Sequence, residues 1–382
     1  MIYLDNAATT FPKPVSVTRA VEHALKVYGA NPGRSGHEMT LKTSEEIYKC
    51  RKKAAAMFGA VSAQDVVFTM NCTHALNLAI KGIVKPGCHV ITSNLEHNSV
   101  IRPLYALKQQ GIINFDVAKV VPGNDRATVE AFRQLIRPNT SIIVCTHVSN
   151  VFGVILPIRA IGELAVSHGI TFIVDAAQSA GVLPINIQQM NIDYLCMPGH
   201  KGLYGPMGTG MLVTTKGNIL TPLMEGGTGS VSQQLEQPDF LPDRLESGTI
   251  NTSGIIGLSA GLDFVKQKGE EKLYYHELSL TQYLYDGIKK IDNAQLYTPR
   301  PVSPHFAPVL SFNIKGAASG DIGEALAQQG IAVRAGLHCA PLAHNAFGTM
   351  QDGTVRLCPG AFTTRQEIDK VIFQIIKIAK SF

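Results

Sequence analysis

The sequence predicts an α/β protein, with a large domain built on a mostly parallel seven-stranded sheet between helices and a smaller α+β domain. Between Val66 and Val213 short apolar runs alternate with helix-patterned stretches, the mark of βαβ units. The runs span only four to seven residues, as expected of strands covered on both faces. The chain has 382 residues, more than one hydrophobic core usually organises, so two domains are expected.

In order, SEEIYKCRKKAAAMFG from Ser44 reads as a helix with an acidic first turn and a Gly59 stop. Strands follow: VVFT from Val66, HVIT from His89, FDVAKVV from Phe115, SIIVCTH from Ser141, TFIVD from Thr171, YLCM from Tyr194 and MLVTT from Met211. The stretch from Lys216 to Thr252 is rich in Gly, Pro, Ser and Thr without periodicity and reads as long functional loops. Helical patterning returns at Ser253 and continues into LYYHELSLTQYLYDGIKKI, then a strand, APVLSFNI, and a closing amphipathic helix, IDKVIFQIIKIAKSF. Ile368, Val371, Ile372, Ile375 and Ile376 fall on one face of that helix. The expected division is 15–254 for the large domain, with 1–14 and 255–382 forming the small one. No internal repeat stands out.

Hydrophobic residues at 45% and charged residues at 16% exclude a disordered chain. The net charge of +5, spread without runs, argues against nucleic acid as the main partner. Seven cysteines form no CxxC pair, so neither a disulfide framework nor a structural metal site is expected. Cys145 and Cys196 sit in strand-like runs as core thiols, whereas Cys339 sits in a polar Gly/His loop. Asp5 interrupts any leader-like apolar region and no run of about 18 apolar residues occurs, so a cytoplasmic protein with no membrane contact is expected.

In an open parallel sheet ligands lie beyond the carboxyl ends of the strands. There the chain places Asn71, Thr73 and His74, then Glu96 and His97, His147 and Asn150, Asp175 and Gln178, and His200 and Lys201. A lone Asp at a strand end is ordinarily a helix cap, and a lone Lys is ordinarily on the surface. Together, an acid for a pyridine nitrogen and a glycine-flanked lysine for a Schiff base suggest a pyridoxal phosphate site. Asn71 to His74 open a helix whose free N–H groups suit a phosphate. His97 would stack on the ring, although a single His is more often a capping residue. Arg356 lies in an apolar run, where its charge needs a partner and its fork fits a substrate carboxylate. With Arg334 and His338 beside it, Cys339 is a candidate thiolate.

The chain resembles the class V aminotransferase family of fold-type I pyridoxal phosphate enzymes, within it the cysteine desulfurases and selenocysteine lyases. The likeness runs through YLDNAATT at Tyr3, LEHNS at Leu95, HVSNVFG at His147, VDAAQS at Val174, GHKGLYGP at Gly199, ESGTINTSGIIGL at Glu246 and RAGLHCAP at Arg334. It implies Lys201 for the covalent link to pyridoxal 5'-phosphate, Asp175 for the pyridine nitrogen, Gln178 for the ring hydroxyl and His97 for stacking and proton transfer. It also implies Thr73 and His200 for phosphate, and Thr249 for phosphate from the neighbouring subunit of a homodimer; His74 joins the cofactor-binding candidates from its place at the helix start. Asn150, Arg334 and Arg356 would hold the substrate, and Cys339 would carry a persulfide. The short RAGLHCAP loop resembles the group whose sulfur transfer is assisted by an acceptor protein, as in iron–sulfur cluster assembly. The chain departs from that group at Pro198, Gly202 and Leu337, and at Cys72 and His74 around Thr73.

The expected activity is conversion of L-cysteine to L-alanine with a persulfide on Cys339, selenocysteine being an alternative substrate. A class V aminotransferase or a C–S lyase using Lys201 without Cys339 is the second reading, and a non-catalytic scaffold is the third.

Overall fold

The computed structural model describes residues 1–33 and 36–382. The chain opens with β1 (Ile2–Tyr3), α1 (Val15–Val27) and α2 (Glu38–Phe58). Alternation follows in β2 (Val66–Thr69), α3 (Cys72–Ile83), β3 (Cys88–Ser93), α4 (Asn98–Gln109), β4 (Ile113–Ala118), α5 (Asp125–Arg133), β5 (Thr140–Thr146), α6 (Ile158–Ser167), β6 (Thr171–Asp175), β7 (Tyr194–Pro198) and β8 (Gly210–Val213). The remainder forms α7 (Thr252–Lys268), α8 (Glu270–Ile288), β9 (Ala294–Leu296), β10 (Leu310–Ile314), α9 (Ser319–Gln328), β11 (Ile331–Ala332), β12 (Arg334–Gly336), α10 (Pro341–Ala346), β13 (Thr354–Leu357) and α11 (Arg365–Ala379).

The seven-stranded sheet has the order β2-β8-β7-β6-β5-β3-β4. Among its described strands only β8 runs against its neighbours, β7 and β2. Successive strand side chains point to opposite faces, so each strand feeds two cores. Ile143, Cys145, Phe172, Val174 and Leu195 enter one. Ile142, Val144, Ile173 and Cys196 enter the other. This double burial is why the strands read as uninterrupted apolar runs.

A four-stranded antiparallel sheet, β12-β13-β10-β9, carries the second body. Leu310, Phe312 and Val355 from its strands pack with Leu284 and Ile288 of α8, Leu326 of α9, and Ile368 and Val371 of α11. β1 joins this body by parallel pairing with β11. Ile255, Leu258 and Leu262 of α7 enter the large core. A Cβ on Gly261 would lie 2.2 Å from the Leu203 carbonyl, so the bare glycine lets α7 press against the 199–205 loop.

Three local expectations shift. α2 begins at Glu38 rather than Ser44, because the His37 side chain accepts the Thr40 N–H and caps a helix six residues longer. β4 begins at Ile113, ahead of Phe115, where it pairs with Cys88. Ile376 is 37% exposed at the edge of the α11 stripe, while Ile368, Val371 and Ile375 are buried. The segment after β8 stays irregular up to α7, apart from a short 3-10 turn at Gly217–Ile219.

Candidate active site

At the carboxyl ends of β3, β5, β6 and β7 a cavity of about 210 Å³ is lined by Thr73, His97, Asn150, Asp175, Gln178, His200 and Lys201, among others. Each side chain is delivered by an element end. Asp175 is the last residue of β6 and is 3% exposed. Its Oδ1 accepts the Ala177 N–H at 2.8 Å and the Cys72 thiol at 3.4 Å. Both contacts fall on Oδ1, so Oδ2 remains available to a ligand.

Lys201 follows β7 in a loop closed by backbone bonds from Tyr204 N to Lys201 O (2.8 Å) and from Gly205 N to Gly199 O (2.7 Å). Burial lowers the pKa of its ammonium, and the Asp175 charge opposes that effect. The amine is thereby brought closer to its neutral, nucleophilic form. Burial also pushes His97 down to about 4, against the pull of Asp175, and His200 down to about 4 with help from the Lys201 and Lys13 charges. Both imidazoles are neutral near pH 7. His200 Nδ1 is buried without a hydrogen-bond partner among the described residues.

His97 caps α4, its Nδ1 accepting the Ser99 N–H at 3.1 Å. The Ser99 hydroxyl lies 2.8 Å from both His97 Nδ1 and the Thr73 hydroxyl, linking the two residues at the cavity wall. Asn71 caps α3 by accepting the His74 N–H at 2.9 Å, which turns the start of that helix toward the cavity. Gln178 donates to Ala7 O at 2.9 Å, tying the cavity to the N-terminal YLDNAATT segment.

His74 is not brought to this cavity. Its Nδ1 accepts the Met70 N–H at 3.3 Å, so the ring folds back over the helix start and lines a neighbouring cleft. Thr249 lines that same cleft, its hydroxyl accepting from Asn31 at 3.1 Å, and it does not line the chain's own Lys201 cavity.

A second cluster adjoins the cavity through Asn150. Arg356 of β13 is 1% exposed. Its Nη1 donates to Asn150 O at 2.9 Å and its Nη2 to Asp5 Oδ1 at 2.7 Å, while Nε is buried without a partner among the described residues. Asn150 in turn donates to His338 O at 2.8 Å, and Asn98 N donates to Cys339 O at 2.7 Å. These bonds hold a loop in which His338 (φ 49°) and Cys339 (φ 56°) are both left-handed. Such conformations cost roughly 1–3 kcal/mol each for side chains other than glycine. Cys339 is exposed, and Arg334 Nη2 lies 3.7 Å from its Sγ.

Sequence reasoning gave no site role to Asp5, Ser99 or Lys13, and read Cys72 only for its place at the start of α3, not for its thiol contact with Asp175. Lys13 donates to Thr10 Oγ1 and His200 O, both at 2.7 Å, and burial lowers its pKa to about 8. Only Asp5 carried a usable signal, being an acid in the motif that opens the chain. All seven cysteines are free, and no group of three or more metal-ligating side chains occurs among the described residues. No helix among them is long and apolar enough to cross a membrane.

A mostly parallel α/β sheet with a carboxylate ending β6 and a buried lysine following the neighbouring β7 is the arrangement of the fold-type I class of transferases. Within it the chain belongs to the class V aminotransferase family, whose model, "Aminotransferase class-V", matches residues 2–371. A protein of Methanothermobacter thermautotrophicus named "Probable cysteine desulfurase" is 33% identical over 96% of this chain and 92% of its own. The apo structure of cysteine desulfurase from Thermococcus onnurineus NA1 is 30% identical, covers 100% of this chain and 95% of that one, and superposes with a TM-score of 0.92. The S-sulfonic acid form of the cysteine desulfurase CsdA from Escherichia coli is 27% identical over 99% of this chain and 94% of its own, with a TM-score of 0.87.

Proposed function

We propose that this protein is a pyridoxal phosphate-dependent cysteine desulfurase that converts L-cysteine to L-alanine and retains the sulfur as a persulfide on Cys339. The observation that carries this reading is the linkage of two sites. The exposed Cys339, with Arg334 Nη2 3.7 Å from its Sγ, sits on a loop bonded through Asn150 and Asn98 to the edge of the Lys201 and Asp175 cavity.

The residues present fit the cofactor. Lys201 would carry it, Asp175 Oδ2 would meet the pyridine nitrogen, Gln178 the ring hydroxyl and His97 the ring face. Thr73 and the unpartnered Nδ1 of His200 would meet the phosphate. Pyridoxal phosphate, when bound, supplies a conjugated sink for the electron pairs released at the substrate Cα and Cβ.

The chain's own groups do the rest. Arg356, already forked toward Asn150 and Asp5, grips the substrate carboxylate with Asn150 and Arg334 around it. The Lys201 amine takes the Cα proton, a task suited to a group whose ammonium pKa burial lowers. Cys339 Sγ attacks the substrate sulfur, the substrate C–S bond breaks, and a proton returns to carbon. The balance is L-cysteine plus the Cys339 thiol giving L-alanine plus the Cys339 persulfide.

The working unit is a homodimer in the cytoplasm, in which Thr249 completes the partner's phosphate site and a sulfur-acceptor protein unloads Cys339. Residues 15–254 would form the large domain and 1–14 with 255–382 the small one. The test is Cys339→Ala assayed with cysteine, selenocysteine and other amino acids. The variant should keep the absorbance of bound cofactor and make neither sulfide nor persulfide. Undiminished desulfuration rejects the reading, and stoichiometric keto acid without sulfide from the unaltered protein would point to an aminotransferase.

A further inference from the structure

Two buried side chains that no motif above includes, Thr349 and His344, form with His338 a chain that ends beside the cysteine. The Thr349 hydroxyl lies 2.8 Å from His344 Nδ1, His344 Nε2 lies 3.4 Å from His338 Nδ1, and His338 Nε2 lies 3.3 Å from Arg334 O. His338 is 2% exposed, His344 0% and Thr349 2%. The two rings are nearly parallel, 12° apart at a centroid distance of 5.6 Å, and the edge of Phe152 closes over His344.

The donors are determined from one end. A backbone carbonyl only accepts, so His338 carries its proton on Nε2 and its Nδ1 must accept. His344 therefore donates from Nε2, which leaves its own Nδ1 to accept from the Thr349 hydroxyl. In this arrangement every link points the same way, and a proton added to His338 would set its Nδ1–H against the Nε2–H of His344. Burial depresses both imidazoles, His338 to about 2 with repulsion from Arg356, so the neutral chain is the stable one.

We propose that His344 and Thr349, acting through His338, are positioning residues that aim Cys339 at the substrate sulfur. The reasoning rests on Cys339 being the sulfur acceptor. His338 and Cys339 are consecutive left-handed residues, so the rotation of the His338 ring and the direction of the Cys339 side chain are set by one backbone segment. Arg334 receives the end of the chain at its carbonyl and presents its guanidinium to Cys339 Sγ. A neutral ring fixed by a bond to its far nitrogen is a standard way of orienting a reactive neighbour. A misplacement of about 1 Å costs as much as 100-fold in rate.

The test uses the cofactor-loaded protein, three variants of the buried chain and Cys339→Ser as a control. Thr349→Val removes the hydroxyl at constant shape, His344→Phe removes both ring nitrogens, and His344→Gln restores a donor to His338. Two rates are read: alanine formation from L-cysteine, and Cα–H exchange of L-alanine in D2O, which needs Lys201 and not Cys339. For Thr349→Val and His344→Phe we expect kcat for alanine formation to fall at least tenfold with KM within twofold and exchange unchanged. His344→Gln should regain most of the loss. Loss of both rates in all three variants overturns the proposal, since the residues would then only support the fold. Undiminished kcat in Thr349→Val and His344→Phe also overturns it while leaving Cys339 in place, provided Cys339→Ser makes no sulfide. Desulfuration by Cys339→Ser overturns both readings.

Discussion

Arg356 is the largest side chain the protein buries completely, and it meets one carboxylate, Asp5, from the far end of the chain. Removing a guanidinium from such a pair strands the remaining charge. We expect Arg356→Gln to lower stability by about 3 kcal/mol in urea unfolding. Arg356→Lys should raise KM for L-cysteine more than tenfold, because an ammonium cannot make the two-pronged contact. Unchanged KM in the lysine variant would remove Arg356 from the substrate site. Asp175, Lys201 and His97 were legible because each follows an apolar run. Arg356 was legible because a charge inside such a run needs a reason. His74 was misplaced because sequence does not say which side of a helix start a ring takes, and a bond to Met70 N turned it away. Cys72 touches Asp175 across 103 residues, a pairing that only the fold creates.

The start of α3 joins stability to ligand binding at the scale of an element. Asn71 occupies one free N–H of the helix, and the remaining ones are available to an anion. Asn71→Ala should cost about 1 kcal/mol of stability and weaken pyridoxal phosphate binding, measured by denaturation and by absorbance titration respectively. Intact affinity in a destabilised variant would show that the phosphate sits elsewhere. The β-strands were readable because burial on both faces leaves only apolar side chains between polar ends. Helix limits were less so: α2 starts on a histidine cap, and histidine is not a usual capping residue. His338 was legible beside Cys339, but its link to His344 and Thr349 was invisible in sequence, since polar side chains near a loop give no periodic signal.

For the whole molecule, the buried titratable groups pull stability in opposite directions with pH. His97, His147 and His200 are held at about 4 by burial, below the ordinary 6.5. The unfolded chain binds protons that the folded chain refuses, so stability falls as pH drops from 6.5 toward 4. Glu96 and Glu277 are held up at about 8 and Glu270 at about 7, again by burial, against an ordinary 4.5. Their folded forms keep protons that the unfolded chain has released, so stability falls as pH rises from 4.5 through 8. The two effects oppose each other below pH 6.5; between 6.5 and 8 the three carboxyls outweigh Lys13, whose ammonium burial lowers to about 8 and which acts in the opposite sense only near the top of that window. The urea midpoint should therefore be lower at pH 8 than at pH 6.5, and Glu277→Gln should shrink that difference. An equal pH 6.5 to 8 difference in wild type and variant would show that Glu277 ionises normally.

The pairing of β1 with β11 sets an order of events during synthesis. Ile2 finds its partner, Ile331, about 330 residues later. At ~5–20 residues per second the first strand leaves the ribosome roughly a quarter of a minute to a minute before its partner strand exists. The large sheet, complete by Val213, can collapse in that interval, while Tyr3, Asp5 and the rest of the opening segment stay unpaired. The segment around β1 is thus among the last to take its place, and the Asp5 contact that steadies Arg356 forms only once the second body has closed.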